Sequence, residues 1–320
     1  METATTRPPV VVTGGAGAIG AVLVRQLTAR GHRVRVVDNL SSGDRERLRD
    51  LERSGGVEFH QHDLREPDGL TEILRGAGSV WHLAANPNIP KGMENPRLDL
   101  EHGTLATAHI LEAARQAHVD RFLFSSSSVV YGLPTVFPTP ESYGPLLPQS
   151  QYGGSKLACE AMVSAYCYSY GMRGWIFRFA NIVGPGMSHG VIHDFLRKLQ
   201  RDPTRLKVLG DGRQAKSYLW VDDCVAAMLL AEERSRDVVN VYNLGTEQQV
   251  PVRDIAERVV RAFGGTARIE YTGGSQGWVG DIPQQLLSVE RIQKLGWRPR
   301  FDSSTTVDKA IATGRAELGP

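Results

Sequence analysis

The sequence predicts an α/β fold, a doubly wound parallel sheet with a smaller C-terminal lobe attached. Three observations carry that prediction. The β-branched run Val10-Val-Val-Thr13 passes straight into glycines at 14, 17 and 20, and a helical pattern with Ile19, Leu23 and Leu27 on one face follows. Four more strand-length runs, 33–38, 57–60, 79–85 and 121–124, then alternate with helical stretches. Their trailing ends carry Asp38, Asp63, Ala84 and the serines after Phe124. In such a sheet these ends gather on one edge, which is where ligands bind.

The opening turn joins a strand to a helix N-terminus, where unpaired N–H groups and the helix dipole favour an anion. Its spacing is Gly-x-x-Gly-x-x-Gly, and alone it equally describes a tight strand-to-helix connection. Asp38 closes the second strand, 18 residues after Gly20. A carboxylate there accepts hydrogen bonds from ribose hydroxyls and repels a 2′-phosphate, favouring NAD over NADP. Arg45 and Arg47 nearby keep NADP open, and a turn-forming role in Asp38-Asn39-Leu-Ser-Ser-Gly43 is the plainer alternative. Asp63 is read either as an adenine neighbour or as a cap of the next helix. Small residues at 84 and 85 let a flat ligand pass close to the backbone.

The 320 residues, 41% hydrophobic and 22% charged, suit a globular protein with a sizeable core. A net charge of +2 gives no electrostatic case for nucleic acid or a membrane surface. No apolar run reaches transmembrane length, and the N-terminus lacks a signal-peptide pattern. Three unclustered cysteines, at 159, 167 and 224, suit a reducing compartment, the cytoplasm, and no metal site. Cys159 and Cys167 lie on one expected helix about 12 Å apart, too far for a bridge.

The chemistry concentrates beyond the fifth strand. Ser125 to Ser128 leave that strand at the ligand edge, and Ser150 is placed to cap a long helix. On that helix Tyr152 and Lys156 stand four residues apart, hence on one face at about 6 Å. An ammonium so close stabilises phenolate, and a tyrosine tuned that way takes a proton from a hydroxyl as hydride leaves the adjoining carbon. Ser127 is the candidate to hold the same oxygen.

As a set these motifs resemble the extended short-chain dehydrogenase/reductase family, in its nucleotide-sugar epimerase and dehydratase group. Thr13-Gly-Gly-Ala-Gly-Ala-Ile-Gly20 is similar to the family's cofactor loop, and Tyr152-x-x-x-Lys156 to its catalytic pair. Asp38-Asn39-Leu, Asp63-Leu64, His82-Leu83-Ala84-Ala85 and Phe177-Arg-Phe-Ala-Asn181 fall in the family order. The resemblance spans about residues 8 to 300. It implies NAD, held by Gly14, Gly17, Ala18, Ile19, Gly20, Asp38, Asn39, Asp63, Leu64, Leu83, Ala84, Ala85, Tyr152 and Lys156. It also implies a Rossmann-type domain over 1–180, rejoined by 217–245, with 181–216 and 246–320 forming a nucleotide-sugar lobe.

The serine stretch separates subfamilies. Dehydratases of this group carry Thr-Asp-Glu-Val-Tyr-Gly where this chain has Ser127-Ser-Val-Val-Tyr-Gly132, so both carboxylates of elimination are missing. Decarboxylases keep the Glu, and the Cys of 3,5-epimerases is replaced by Val129. Ser127, Tyr152, Lys156 and NAD remain, which resembles a UDP-glucose-type 4-epimerase. A dehydratase with displaced acids, a net oxidoreductase and a non-catalytic NAD-binding protein are the alternatives.

By the same resemblance, Asn181 approaches the substrate diphosphate, and Lys216 stands where an Arg usually grips a phosphate, with Arg213 beside it. Gly277-Trp-Val-Gly-Asp281 is similar to a late substrate-binding motif, although Gln276 replaces a common basic residue. Lys91, Ser128 and His189 complete the candidate sugar contacts. UDP is the default nucleotide, with ADP, CDP and GDP open. The family's supporting asparagine before the fifth strand is absent, Gly103 taking its place, with His102 a candidate substitute. Relatives pair through helices near 100–117 and 151–170, which implies a homodimer.

Overall fold

The computed structural model describes residues 7–86, 88–277 and 281–319. The chain divides into two compact units. The first comprises residues 1–126, 154–177 and 232–241, and the second comprises 127–153, 178–231 and 242–320.

The strands follow in chain order as β1 (Val10–Thr13), β2 (Val34–Asp38), β3 (Val57–Gln61), β4 (Ser79–His82), β5 (Arg121–Ser127) and β6 (Arg173–Phe179). They continue as β7 (Asn181–Val183), β8 (Arg205–Val208), β9 (Ala215–Lys216), β10 (Tyr218–Trp220) and β11 (Val239–Leu244). Seven of them form one sheet in the order β11-β6-β5-β4-β1-β2-β3. The order reverses between β1 and β4, both parallel to their neighbours, so the carboxyl ends of these two strands flank the topological switch point. β1 is central and buried throughout, which is why it reads as an unbroken β-branched run rather than an alternating one.

Helices Ala18–Ala29, Ala106–Gln116 and Gln151–Tyr170 belong to this unit, the last one beginning in the second. Val11, Val80, Phe122 and Phe124 from the sheet pack with Ile110, Leu111, Ala114, Cys159 and Val163 from the helices. The three cysteines are buried free thiols, as their helical spacing requires for the first two. The expected single helix over 100–117 is divided. Leu100–Leu105 winds as a π-helical stretch before the α-helix begins at Ala106. Gly103 lies inside that stretch, and a Cβ there would come within 2.2 Å of Ser155 Oγ, so the wide turn and the glycine together admit the serine.

In the second unit the helices Val191–Arg201 and Val252–Ala262 bury Ile192, Phe195, Leu196, Ile255, Ala256 and Val259 against each other's neighbourhood. The strand expected to rejoin the main sheet does otherwise. β10 pairs in parallel with β7, Tyr218 opposite Asn181, as a separate two-stranded sheet. Tyr218 and Trp220 belong to the apolar core of this second unit, and that burial captures the strand. Of the returning segment, only β11 enters the seven-stranded sheet. The helix after β10 starts at Val221, so Asp222 lies in its first turn rather than at its cap. Asp302 does cap its helix, accepting the Thr305 N–H at 2.7 Å.

Residues 127–153 also group with the second unit. Tyr131 Oη donates to Asn243 Oδ1 at 2.7 Å, and the Thr139 N–H donates to the Leu286 carbonyl at 2.8 Å. These bonds tie residues 127–153 to the rest of their own unit.

Phe122 is fully buried in the first core. Phe122→Ala is expected to cost about 3–5 kcal/mol of unfolding free energy in a urea titration, with under 1 kcal/mol contradicting this placement of the core.

Candidate functional site

The glycine turn is built by close approach. Gly14 has φ +69°, and a Cβ on it would lie 2.7 Å from the Ala84 nitrogen, so β1 and the exit of β4 meet at a residue that must be glycine. At Gly20 a Cβ would reach 2.1 Å from the Gly14 carbonyl oxygen, so the first turn of helix Ala18–Ala29 lies directly on the loop. Gly17 is the N-cap and has no side chain, leaving the helix N-terminus to a ligand rather than a capping group. Ala18 and Ile19 supply the following first-turn N–H groups.

Asp38 is buried at the end of β2, and its two oxygens accept the N–H groups of Ala16 at 3.0 Å and Leu40 at 2.8 Å. It therefore ties the glycine loop to the second strand. Two accepted bonds leave carboxylate lone pairs over for hydroxyls. Asn39 donates to Asp63 Oδ2 at 3.0 Å, and Arg65 forks onto both Asp63 oxygens at 3.0 and 2.8 Å. The Arg65 bond holds the Asp63 carboxyl well below the usual carboxylate range. Leu64 is buried behind it, its carbonyl 2.9 Å from His109 Nδ1.

A buried polar chain runs beneath this edge. Thr13 Oγ1 lies 2.6 Å from His82 Nδ1, and His82 Nε2 lies 3.0 Å from Thr107 Oγ1. Thr107 donates its own proton to the Gly103 carbonyl at 2.7 Å, so it must accept from Nε2–H, and Nδ1 accepts from Thr13. Burial, seconded by the Lys156 charge, pushes His82 down to about 3, which keeps this imidazole neutral. The Leu83 N–H donates to the Thr13 carbonyl at 3.1 Å, which sets Ala84 and Ala85 against the glycine turn.

Tyr152 and Lys156 stand one turn apart on the continuous helix Gln151–Tyr170, with the Gly153 N–H donating to Ser150 Oγ at 3.1 Å at its start. Lys156 is 4% exposed, donates to the Ser125 carbonyl at 2.6 Å and lies 4.7 Å above the Phe124 ring. Burial pushes it down to about 8, against charges including Glu160 and Asp99. Ser127 is half-buried and takes the Val129 N–H at 3.5 Å, starting the short 3₁₀ turn Ser128–Tyr131. Ser128 is buried.

In the second unit, Asn181 donates to the Ser217 carbonyl at 3.1 Å and lies 3.4 Å from Gln285 Oε1. Gln214 Oε1, Ser217 Oγ and Gln285 Nε2 are buried without hydrogen-bond partners among the described residues. Lys216 is met by a carboxylate: its ammonium donates to Asp281 Oδ1 at 2.6 Å. Asp281 Oδ2 also accepts the Gly277 N–H at 3.1 Å. Arg213 is largely exposed and His189 is exposed. Lys91 is exposed on the helix Ile89–Glu94 of the first unit, so it is not grouped with these residues. Of the late motif, Trp278, Val279 and Gly280 lie outside the described residues.

Two acids escaped the sequence reading. Asp99 is buried, takes a bond from Asn86 at 2.9 Å on Oδ1, and leaves Oδ2 without a partner among the described residues. Burial pushes its carboxyl up. Glu160, also buried, accepts Ser126 Oγ at 2.5 Å. Its position four residues after Lys156 was the available signal. Among the described residues no cluster of His, Cys, Asp or Glu is placed to hold a metal ion.

A family model described as NAD dependent epimerase/dehydratase family matches residues 10–245. A UDP-glucose 4-epimerase of Mycolicibacterium smegmatis is 31% identical over 94% of this chain and 96% of its own length. A crystal structure of a UDP-galactose 4-epimerase superposes with a TM-score of 0.87 and 39% identity, covering 97% and 99% of the two chains. A dTDP-glucose 4,6-dehydratase of Streptomyces venezuelae, solved with NAD bound, gives 0.88 and 26% identity over 97% and 98%. NAD is the cofactor, and the glycine contacts fit it: the cradle has no room for a Cβ at 14 or 20 and ends on an uncapped helix N-terminus. Gly20→Ala, which forces the loop and helix apart, is expected to weaken NAD binding at least about tenfold by calorimetry, and undiminished affinity would contradict this cradle. The matched span contains the cradle, Asp38, Tyr152 and Lys156, and the chain belongs to the NAD-dependent epimerase/dehydratase family.

Proposed function

We propose that this protein is a nucleotide-sugar 4-epimerase that inverts C4 through a transient 4-keto sugar, with a UDP-sugar as substrate. The observation that carries this reading is the pairing of an intact Tyr152 and Lys156 with Ser127-Ser128-Val129, where elimination needs carboxylates. When bound, NAD accepts a hydride from C4 and gives it back. The glycine turn would hold its diphosphate, Asp38 its adenosine ribose, and Lys156 the second ribose.

Tyr152 takes the proton of the C4 hydroxyl and returns it after the keto sugar has turned its other face. Lys156 stabilises the phenolate from one helical turn away. Ser127 hydrogen-bonds the reacting oxygen and fixes its distance from the tyrosine. No residue of the 127–129 stretch can protonate a C6 hydroxyl or take a C5 proton, so the keto sugar is carried back to a hydroxyl rather than onward to elimination. Gln214, Ser217 and Gln285 hold buried polar atoms that have no partner among the described residues and could meet the nucleotide portion beside Asn181, and a diphosphate there has to draw Lys216 from Asp281. The 4-epimerases among the relatives support the reaction, and UDP in their names supports the nucleotide.

A second copy of the chain is the expected partner. Leu100 and Leu105, at 50% and 43% exposed, and Tyr168, at 72%, leave apolar surface on the two helices through which the family resemblance implies pairing. Sedimentation at micromolar concentration is expected to give a dimer, and a monomer would overturn this arrangement.

Incubation with UDP-, ADP-, CDP- and GDP-sugars, without added NAD, is expected to give C4 inversion by NMR with no net NADH. A 4-keto-6-deoxy product would overturn the proposal. Tyr152→Phe is expected to retain NAD and lose turnover at least about a thousandfold. Because Lys156 acts as a cation, activity is expected to fall as pH rises through about 8. A rate that keeps rising to pH 10 would exclude a charged lysine from the step.

A further inference from the structure

The stripe that carries Tyr152 and Lys156 continues to Glu160, eight residues after the tyrosine. Consecutive residues of β5 are tied to consecutive turns of this helix: the Ser125 carbonyl to Lys156 at 2.6 Å, and Ser126 Oγ to Glu160 at 2.5 Å. Ser126 is 2% exposed and Glu160 5% exposed, so the clamp is shielded from water. The next residue along the strand is Ser127. Attaching a strand to a helix does not call for a buried carboxylate, because an apolar pair does so without the desolvation cost. The charge needs a use, and the buried ammonium one turn away supplies it.

The groups facing Lys156 come from several elements. Its own helix brings Tyr152, Cys159 and Glu160. β5 brings the Phe124 ring and the Ser125 carbonyl. β4 brings His82, which is neutral. Asp99 comes from the turn before the π-helical stretch, and His102, from the stretch itself, acts on Asp99. Cys159, Glu160 and Asp99 oppose loss of the lysine proton on burial, and because burial disfavours the charged forms of Cys159 and Asp99, Glu160 is the acid best placed to answer the ammonium.

We propose that Glu160 is a positioning residue of the tyrosine–lysine pair: through Ser126 it pins the end of β5 beside the helix, and its carboxylate keeps the buried Lys156 an ammonium. The proposal rests on the 4-epimerase reading for its kinetic consequence and on the clamp alone for its electrostatic one.

Glu160→Gln keeps an acceptor for Ser126 and removes the charge. In the NAD-loaded enzyme carrying 13C-labelled lysine, the Lys156 ε-carbon is followed by NMR against pH and assigned by its disappearance in Lys156→Arg. The expected result is a midpoint lower by about one pH unit in Glu160→Gln, with a matching fall in kcat of about fivefold at pH 8 and little change in KM. Ser126→Ala removes the peg and keeps the charge. It is expected to leave the lysine midpoint in place and to lower kcat a few-fold, about two- to fivefold. An unmoved midpoint in Glu160→Gln would overturn the proposal, as would an equal shift in Ser126→Ala. Should wild-type protein invert no sugar, the 4-epimerase reading fails while the midpoints still decide the role of Glu160.

Discussion

The contact on which the Tyr152–Lys156 arrangement depends is the bond from Lys156 Nζ to the Ser125 carbonyl, 2.6 Å long and closed to water. A buried ammonium is costly unless its donors are satisfied and its charge is answered. That requirement explains several features otherwise unrelated. β5 must end in small residues, so that the helix can approach its backbone. His82, beneath the lysine, must be neutral, and the hydroxyls of Thr13 and Thr107 fix it in a neutral tautomer. Acids must stand nearby, and Asp99 and Glu160 do. The same bond joins the strand that delivers Ser127 to the helix that carries Tyr152.

The cofactor side depends on a different constraint, close backbone approach. Gly14 admits the chain leaving β4, and Gly20 lets the helix lie on the loop. Asp38 then bonds an N–H inside that loop at 3.0 Å, so the group expected to read the ribose also holds the cradle in place. A substitution at Asp38 therefore acts on both.

Sequence made the local features legible and the distant ones opaque, for physical reasons. β1 and its glycines, the alternation of strand and helix, and Tyr152 with Lys156 all follow from periodicities of two to four residues. The π-helical stretch does not, because Gly103 is explained by Ser155, which arrives 52 residues later in the chain. The resemblance implies a phosphate ligand at Lys216, and the partner it meets, Asp281, lies 65 residues away. The resemblance implies that β10 rejoins the large sheet, and no local pattern at 218–220 distinguishes one sheet from the other. Its fate is decided by the apolar surface that Tyr218 and Trp220 bury. Buried acids such as Asp99 resemble surface acids in sequence, and only packing distinguishes them.

The proposed chemistry turns on a hydride that leaves C4 and comes back to the same sugar. The most direct test mixes equal amounts of unlabelled nucleotide sugar and a sugar carrying deuterium at C4 and a 13C-labelled skeleton. Mass analysis of the inverted product is expected to find deuterium only on the 13C skeleton and none lost to water. Deuterium scattered onto unlabelled skeletons, or washed out into solvent, would contradict the account.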